Sequence, residues 1–156
     1  MLFRSTGGTG FFDRKETKDV LAYLRCSLSP NEVAFRRVLN TPSRGIGETT
    51  VERLDQHATT LGFKFHVAAR NWRAAGIQEK VGENIDGFFR ILDRLPDEIL
   101  RGDPAKSVGE TLLAKLREMG YRDHLLQTSK DSQALEKRWV IVEIFCRVLD
   151  AFIAKG

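Results

Sequence analysis

Apolar residues recur along most of the chain at intervals of three and four, which is the repeat of an amphipathic α-helix. The last such segment is the longest, and its apolar positions run from Leu135 to Phe152. Only a few residues near the N-terminus have weak strand character. The pattern predicts an all-α fold, a compact multi-helix subdomain, with helices over residues 15–27, 30–39, 48–58, 63–73, 77–95, 107–120 and 135–152.

Residues that favour helix ends flank several of these segments. Ser29 and Glu32 have the spacing of a capping box, in which the first side chain caps the helix and the acid reaches back to the backbone of the first residue. Ser107 and Glu110 have the same spacing. We therefore expect a helix to begin at each serine. Helix ends are expected before Pro42, before Pro96 and at Gly120.

The length of 156 residues allows one domain with a substantial buried core. We expect residues 1–156 to form a single subdomain. The loop-forming stretch Arg101-Gly102-Asp103-Pro104 leaves one alternative open, a division into two small lobes that meet near residues 96–106.

Composition narrows the class of protein. Apolar residues make up 42% of the chain and charged residues 29%, as in ordinary globular proteins. No apolar run approaches the roughly 18 residues that a membrane span needs, and the first residues lack the apolar stretch of a secretory signal. We expect a cytoplasmic protein with no membrane partner. In that setting Cys26 and Cys146 are expected as reduced core thiols rather than as a disulfide.

The net charge of +4 is too small to indicate a nucleic-acid partner by itself. Its distribution is more informative. The stretch from residue 25 to residue 44 contains one acidic residue, Glu32, and four arginines. A local basic patch is therefore expected there, formed by Arg25, Arg36, Arg37 and Arg44.

The most distinctive stretch is Thr41–Thr50, which joins two predicted helices through the turn Gly45-Ile46-Gly47. Glycine lets the backbone approach a ligand closely, and the N-terminus of the following helix favours a phosphate. Ile46 would anchor the turn, and Arg44 would pair with phosphate, so replacing Arg44 should lower the salt dependence of binding by about one unit of slope. Taken alone, a glycine turn is more often a plain connector, and that alternative stays open.

Two long motifs resemble the Rep/UvrD/PcrA family of superfamily 1 DNA helicases. One is residues 7–25, GGTGFFDRKETKDVLAYLR, in which Thr17 stands where the family usually has isoleucine or valine. The other is residues 34–50, AFRRVLNTPSRGIGETT, in which Arg36 stands where leucine is common. Weaker similarity continues through Gly120-Tyr121 and the last predicted helix.

The resemblance implies the helical accessory subdomain called 2B, inserted in the second motor domain, whose glycine loop grips duplex DNA. It carries the duplex contacts over to Thr41, Arg44, Gly45, Ile46, Gly47 and Thr50. Further contacts to DNA or to the motor domains are expected from Arg14, Lys15, Lys18 and Arg37. The implied partners are double-stranded DNA near a single-strand junction and the motor domains of a parent helicase.

No phosphate-loop motif or paired catalytic acids occur in the chain, so we expect neither enzymatic activity nor a cofactor here. ATP and Mg²⁺ are expected only in the motor domains. His57, His66 and His124 lack the spacing of a metal or catalytic site. Trp72 and Trp139 are interpreted as core residues rather than base-stacking platforms, and Phe11-Phe12 as a candidate junction element or association patch.

Two other classes of function are alternatives to a DNA-binding module. One is a protein-interaction or autoinhibitory module with little DNA affinity of its own. A large exposed apolar patch together with a buried glycine loop would favour this alternative. The other, a stand-alone enzyme, is disfavoured because no nucleophile, base or metal cluster converges in the sequence.

Overall fold

Helices account for all the regular secondary structure of residues 10–155, the part of the chain that the structure, a computed structural model, describes. This confirms the all-α prediction, and none of the described residues near the N-terminus forms a strand. A short 3₁₀ helix, Phe11–Asp13, precedes eight α-helices: α1 (Lys15–Leu28), α2 (Glu32–Val38), α3 (Glu48–Leu61), α4 (Phe65–Arg70), α5 (Glu79–Leu100), α6 (Val108–Glu118), α7 (Tyr121–Gln127) and α8 (Ser132–Lys155).

The chain divides into two compact units. One unit is Ala22–Pro96, and we call it the central unit. The other, the terminal unit, takes in the chain up to Leu21 and from Asp97 onward. The unit boundaries fall inside α1 and α5, so neither coincides with a loop.

An aromatic cluster forms the core of the central unit. The ring of Phe35 on α2 lies 5.8 Å from that of Phe65, 5.5 Å from that of Phe88 and 5.4 Å from that of Phe89, measured between centroids. Trp72 is also buried, and its indole N–H donates to Asp86 at 2.9 Å. Large buried aromatic side chains contribute strongly to core stability, and this cluster holds α2, α4 and α5 together.

In the terminal unit, α6, α7 and α8 pack against one another around Leu112, Leu116, Leu125 and Trp139. Trp139 is therefore a core residue, as Trp72 is in the central unit. Phe152 was expected on the apolar face of the last helix, but it is 74% exposed. The helical repeat continues through Phe152, but the described core ends before it. None of the described helices is long and apolar enough to cross a membrane.

Several helix bounds differ from the sequence prediction, and helix α7 was not predicted at all. Helix α5 does not stop before Pro96 but continues to Leu100, with Leu95 and Ile99 buried on either side of the proline. Burial of this face offsets the backbone hydrogen bond that proline removes. The helix expected over residues 63–73 is confined to Phe65–Arg70, because the Asn71 side chain donates to the carbonyl of Val67 and the chain turns there.

Only one of the two expected capping boxes forms. At α6, the Ser107 hydroxyl accepts from the Glu110 N–H at 3.0 Å, and the Glu110 carboxylate accepts from the Ser107 N–H at 2.8 Å. The prediction of a second box was wrong, because Asn31 rather than Ser29 caps α2. Glu32 instead caps α4, where it accepts hydrogen bonds from the backbone N–H groups of residues 65 and 66 at 2.7 and 3.2 Å.

The pH dependence of stability should report this contact. Burial would raise the pKa of Glu32, but hydrogen bonds from the His66 ring and the α4 backbone outweigh it and hold the pKa below its usual value. Because the pKa of Glu32 is lower in the folded chain than the value of about 4.3 in the unfolded chain, its ionised form stabilises the fold at pH values above about 4.3. This stabilisation is lost as the pH falls from about 4.3 toward the pKa of the folded state. We expect Glu32→Gln to flatten the fall in urea midpoint between about pH 5 and pH 3.

The Glu32→Gln variant still loses some stability on acidification, because the Arg36 guanidinium also lowers the pKa of Asp55. The matched control is Glu52→Gln, which removes an exposed carboxylate of α3. If Glu32→Gln and Glu52→Gln lose stability on acidification in parallel with wild type, the capping role of Glu32 is contradicted.

Candidate nucleic-acid interface

The connection between α2 and α3 folds back on itself and presents the N-terminus of α3. Ile46 is only 2% exposed, so it anchors the turn in the core of the central unit. Gly45 has φ = +71°, a backbone conformation that side-chain-bearing residues rarely adopt, and it is exposed. Gly47 is also exposed and is the N-cap of α3. The glycine loop, residues 40–47, therefore has a buried anchor between two exposed glycines.

Two asparagine side chains hold the backbone of the glycine loop. The Asn40 side-chain oxygen accepts from the N–H of Arg44 at 2.6 Å and from that of Ile46 at 3.2 Å. From α5, the Asn84 amide donates to the carbonyl of Arg44 at 2.9 Å. Neither of these two asparagine contacts was predicted from the sequence. Asparagine beside a turn often bonds to nearby backbone, which was an available signal for Asn40 but not for Asn84.

The guanidinium of Arg44 makes three hydrogen bonds inside the chain. One nitrogen donates to the carbonyls of Val38 and Leu39 at 2.8 and 2.9 Å, at the C-terminal end of α2, and the other donates to the Tyr23 hydroxyl. Its carbon lies 4.6 Å from the centroid of the Phe88 ring. The side chain is thus directed into the central unit, whereas the prediction from sequence was a pairing with phosphate.

The threonines at the two ends of the stretch differ in their surroundings. The Thr41 carbonyl accepts from the Tyr23 hydroxyl at 2.5 Å, and its own hydroxyl donates to the Arg37 carbonyl at 3.3 Å. Thr50 is half-buried in the first turn of α3, next to the exposed Thr49. The structure therefore brings Thr50, Gly45 and Gly47 to the same end of α3, while Thr41 bonds within the connection.

No side chain caps α3, and its first backbone hydrogen bond runs from the Val51 N–H to the Gly47 carbonyl. The N–H groups of the first turn therefore have no intrahelical acceptor, and the helix dipole gives this end a partial positive charge. A notch of about 240 Å³ lies beside it, lined by Thr49, Thr50, Arg53, Ile77, Gln78 and Val81. Arg53, one of the notch residues, donates to the Gly76 carbonyl at 3.0 Å.

The expected basic patch is smaller than the sequence suggested. Arg36 pairs with Asp55 through both of its terminal nitrogens, and its guanidinium lies 4.0 Å from the centroid of the Phe65 ring. Arg37 is exposed on α2. With Arg44 also directed inward, both Arg36 and Arg44 are bound within the chain. Arg14, Lys15 and Lys18 are exposed at the start of α1 and belong to the terminal unit.

The remaining candidate residues have structural surroundings. The His66 ring lies 2.6 Å from Glu32, and the His124 ring stacks on Tyr121. Burial raises the pKa of both cysteine thiols, Cys26 and Cys146, to about 12, which keeps them protonated and unreactive at neutral pH. Among residues 10–155, no group of His, Cys, Asp and Glu side chains could hold a metal ion.

Known proteins match the chain over much of its length. Residues 2–72 match the family model of the UvrD-like helicase C-terminal domain. The ATP-dependent DNA helicase UvrD1 of Mycobacterium tuberculosis (strain ATCC 25618 / H37Rv) is 34% identical over 139 residues, which is 86% of this chain and 17% of that protein. The ATP-dependent DNA helicase PcrA of Bacillus subtilis (strain 168) is 36% identical over 94 residues, 60% of this chain and 13% of that protein.

The chain thus spans only 13–17% of the length of these two helicases. The family match includes the glycine loop and both motifs, residues 7–25 and 34–50. The chain therefore resembles one region of the UvrD/PcrA-type helicases.

Proposed function

We propose that this chain is a duplex-DNA-binding accessory module of an ATP-dependent DNA helicase, of the kind called 2B, and that it steers or regulates the motor. The observation that carries the proposal is the uncapped, solvent-exposed N-terminus of α3 behind the glycine loop. The matched family model includes the loop region, and two similar proteins are named as DNA helicases, which agrees with DNA as the ligand.

In this proposal, a backbone phosphate of the duplex lies against the first turn of α3. The N–H groups of Glu48, Thr49 and Thr50 donate to its oxygens, and the helix dipole favours its charge. The exposed Gly45 and Gly47 allow close approach because they have no Cβ. Such contacts position the duplex without identifying its bases, so binding is independent of sequence and sensitive to salt.

In this proposal, the motor domains of the parent helicase carry out the chemistry of unwinding. ATP and Mg²⁺ would be bound by the motor domains of the parent helicase, which are also the module's protein partner. The DNA partner is double-stranded DNA near a junction with single-stranded DNA. The module contributes a grip on the duplex ahead of that junction, and its position relative to the motor sets how the duplex is presented.

The test is a charge placed where the phosphate would lie. Thr49→Glu adds a carboxylate to the first turn of α3, which stabilises the helix by about 0.3–1 kcal/mol through the dipole and repels phosphate. We expect its affinity for a labelled hairpin duplex with a single-stranded tail to fall about tenfold at low salt, measured by fluorescence anisotropy. Stability and binding should therefore change in opposite directions.

The matched control is Gln56→Glu, which makes the same change of charge at an exposed position in the middle of α3. It should bind nearly as wild type does. Equal losses in the two variants would show that only net charge matters and would remove the α3 N-terminus from the DNA contact. Absence of wild-type binding even at low salt would sink the DNA-binding proposal for this chain.

The second candidate, a protein-interaction or autoinhibitory module, is favoured by one observation. In the C-terminal half of α8, Val148, Phe152 and Ile153 are exposed by 43%, 74% and 46%. Exposed apolar residues in one region often belong to a protein interface. The same anisotropy experiment separates the two candidate functions, because a protein-interaction module requires neither duplex binding nor an effect of Thr49→Glu.

A further inference from the structure

We propose that Asn40, Arg44 and Asn84 are positioning residues that hold the glycine loop in the conformation required for DNA binding, and that Arg44 does not itself touch DNA. This inference rests on the proposed function for its ligand. It differs from the expectation based on sequence, in which Arg44 was a phosphate contact.

The first support is the number of contacts that Arg44 makes inside the central unit. Its guanidinium joins the last carbonyls of α2 to the Tyr23 hydroxyl and lies over the Phe88 ring. A cation at the C-terminal end of a helix is also favoured by the helix dipole. To reach a phosphate, the side chain would have to give up three hydrogen bonds and leave the carbonyls of residues 38 and 39 without this donor.

The second support is the backbone of the same residue. The Arg44 N–H is held by Asn40, and the Arg44 carbonyl is held by Asn84 of α5. Both the side chain and the peptide groups on either side of it are therefore fixed just before Gly45. Because Gly45 and Gly47 would otherwise sample many conformations, these bonds reduce the entropy lost when the loop meets a ligand.

The third support is the link to α5. Asn84 is exposed and lies 40 residues from its acceptor, so this bond joins the loop to a separate helix rather than to its own turn. The glycine loop is thus attached at three places: Ile46 in the core, Arg44 on α2, and Asn84 on α5. A loop attached in this way presents its N–H groups in one arrangement.

The decisive comparison is between Arg44→Ala and Arg44→Lys in the full 156-residue chain, with duplex affinity measured across a range of salt concentrations. A lysine keeps the charge but lacks the forked guanidinium. If Arg44 positions the loop, both variants lose affinity about tenfold, and both keep the wild-type salt slope. Arg94→Ala, which removes one exposed arginine of α5, controls for the change of net charge.

A phosphate contact gives the opposite pattern. Arg44→Ala would then lower the salt slope by about one unit, and Arg44→Lys would bind nearly as tightly as wild type. That result would overturn the proposal. Asn84→Ala extends the test, since it changes no charge and removes only the bond from α5. It should weaken binding several-fold, while Asn71→Ala, whose amide bonds within its own turn, should not.

Amide hydrogen exchange separates this proposal from the proposed function. The N–H groups of Arg44 and Ile46 are bonded to Asn40, so Asn84→Ala and Arg44→Lys should speed their exchange without DNA. Unchanged exchange in both variants would contradict the positioning role. Faster exchange in a chain whose wild type binds no duplex would support the positioning role and reject DNA as the ligand.

Discussion

Replacing Gly109 by alanine is expected to lower the free energy of unfolding of the terminal unit by about 3–4 kcal/mol. An added Cβ would lie 2.3 Å from the backbone carbonyl oxygen of Cys146 and 2.5 Å from a carboxylate oxygen of Asp150. The first of these atoms belongs to the backbone of α8, so α6 and α8 have to separate. Separation also stretches the hydrogen bond from the Gly109 N–H to Asp150, now 2.7 Å.

Urea denaturation followed by circular dichroism measures this effect. The control is Gly87→Ala in α5, where the added Cβ would meet only the end of the Arg90 side chain, at 3.7 Å. Alanine is the better helix former by about 0.5–1 kcal/mol, so Gly87→Ala should be neutral or stabilising. If Gly109→Ala costs less than about 1 kcal/mol, the close approach of α6 to α8 is wrong.

The second large effect is expected from Arg138→Met, at about 3–5 kcal/mol. Arg138 on α8 donates to the carboxylate of Glu16 at 2.7 Å, and the Glu16 side chain is only 7% exposed. The same guanidinium donates to the hydroxyls of Thr128 and Ser129 at 2.9 and 3.0 Å. Methionine fills much of the volume but leaves a buried carboxylate without its partner, which is the costly part of breaking a buried ion pair.

The double variant Glu16→Gln with Arg138→Met tests this explanation, because it removes the buried charge together with its partner. We expect it to recover a large part of the stability lost in the single variant. Arg147→Met, which replaces an exposed arginine of the same helix, should cost little. A double variant no more stable than Arg138→Met would mean that lost packing, not the unpaired carboxylate, destabilises the terminal unit.

The sequence by itself determined the parts of this protein that depend on local spacing. The apolar repeat predicted the helical fold, because apolar residues at helical spacing identify an amphipathic helix. This signal does not depend on knowing which other helix will cover the apolar face. The Ser107 capping box formed as predicted, because its two residues lie within one turn. The burial of Ile46 was also predicted, because an apolar side chain in an otherwise polar turn is expected to pack into the core, and the structure confirms it.

Contacts between distant residues were decided only by the tertiary structure. Glu32 had the right spacing to cap α2, yet its carboxylate caps α4, 33 residues further along, because folding brings two uncapped N–H groups to it. Arg44 had the charge and position expected of a phosphate contact, and the structure adds that its guanidinium donates to the last carbonyls of α2 and lies over the Phe88 ring. The charge of a side chain and its position in the sequence limit the groups that it can bind. The packing of the folded chain determines which of those groups lies within reach.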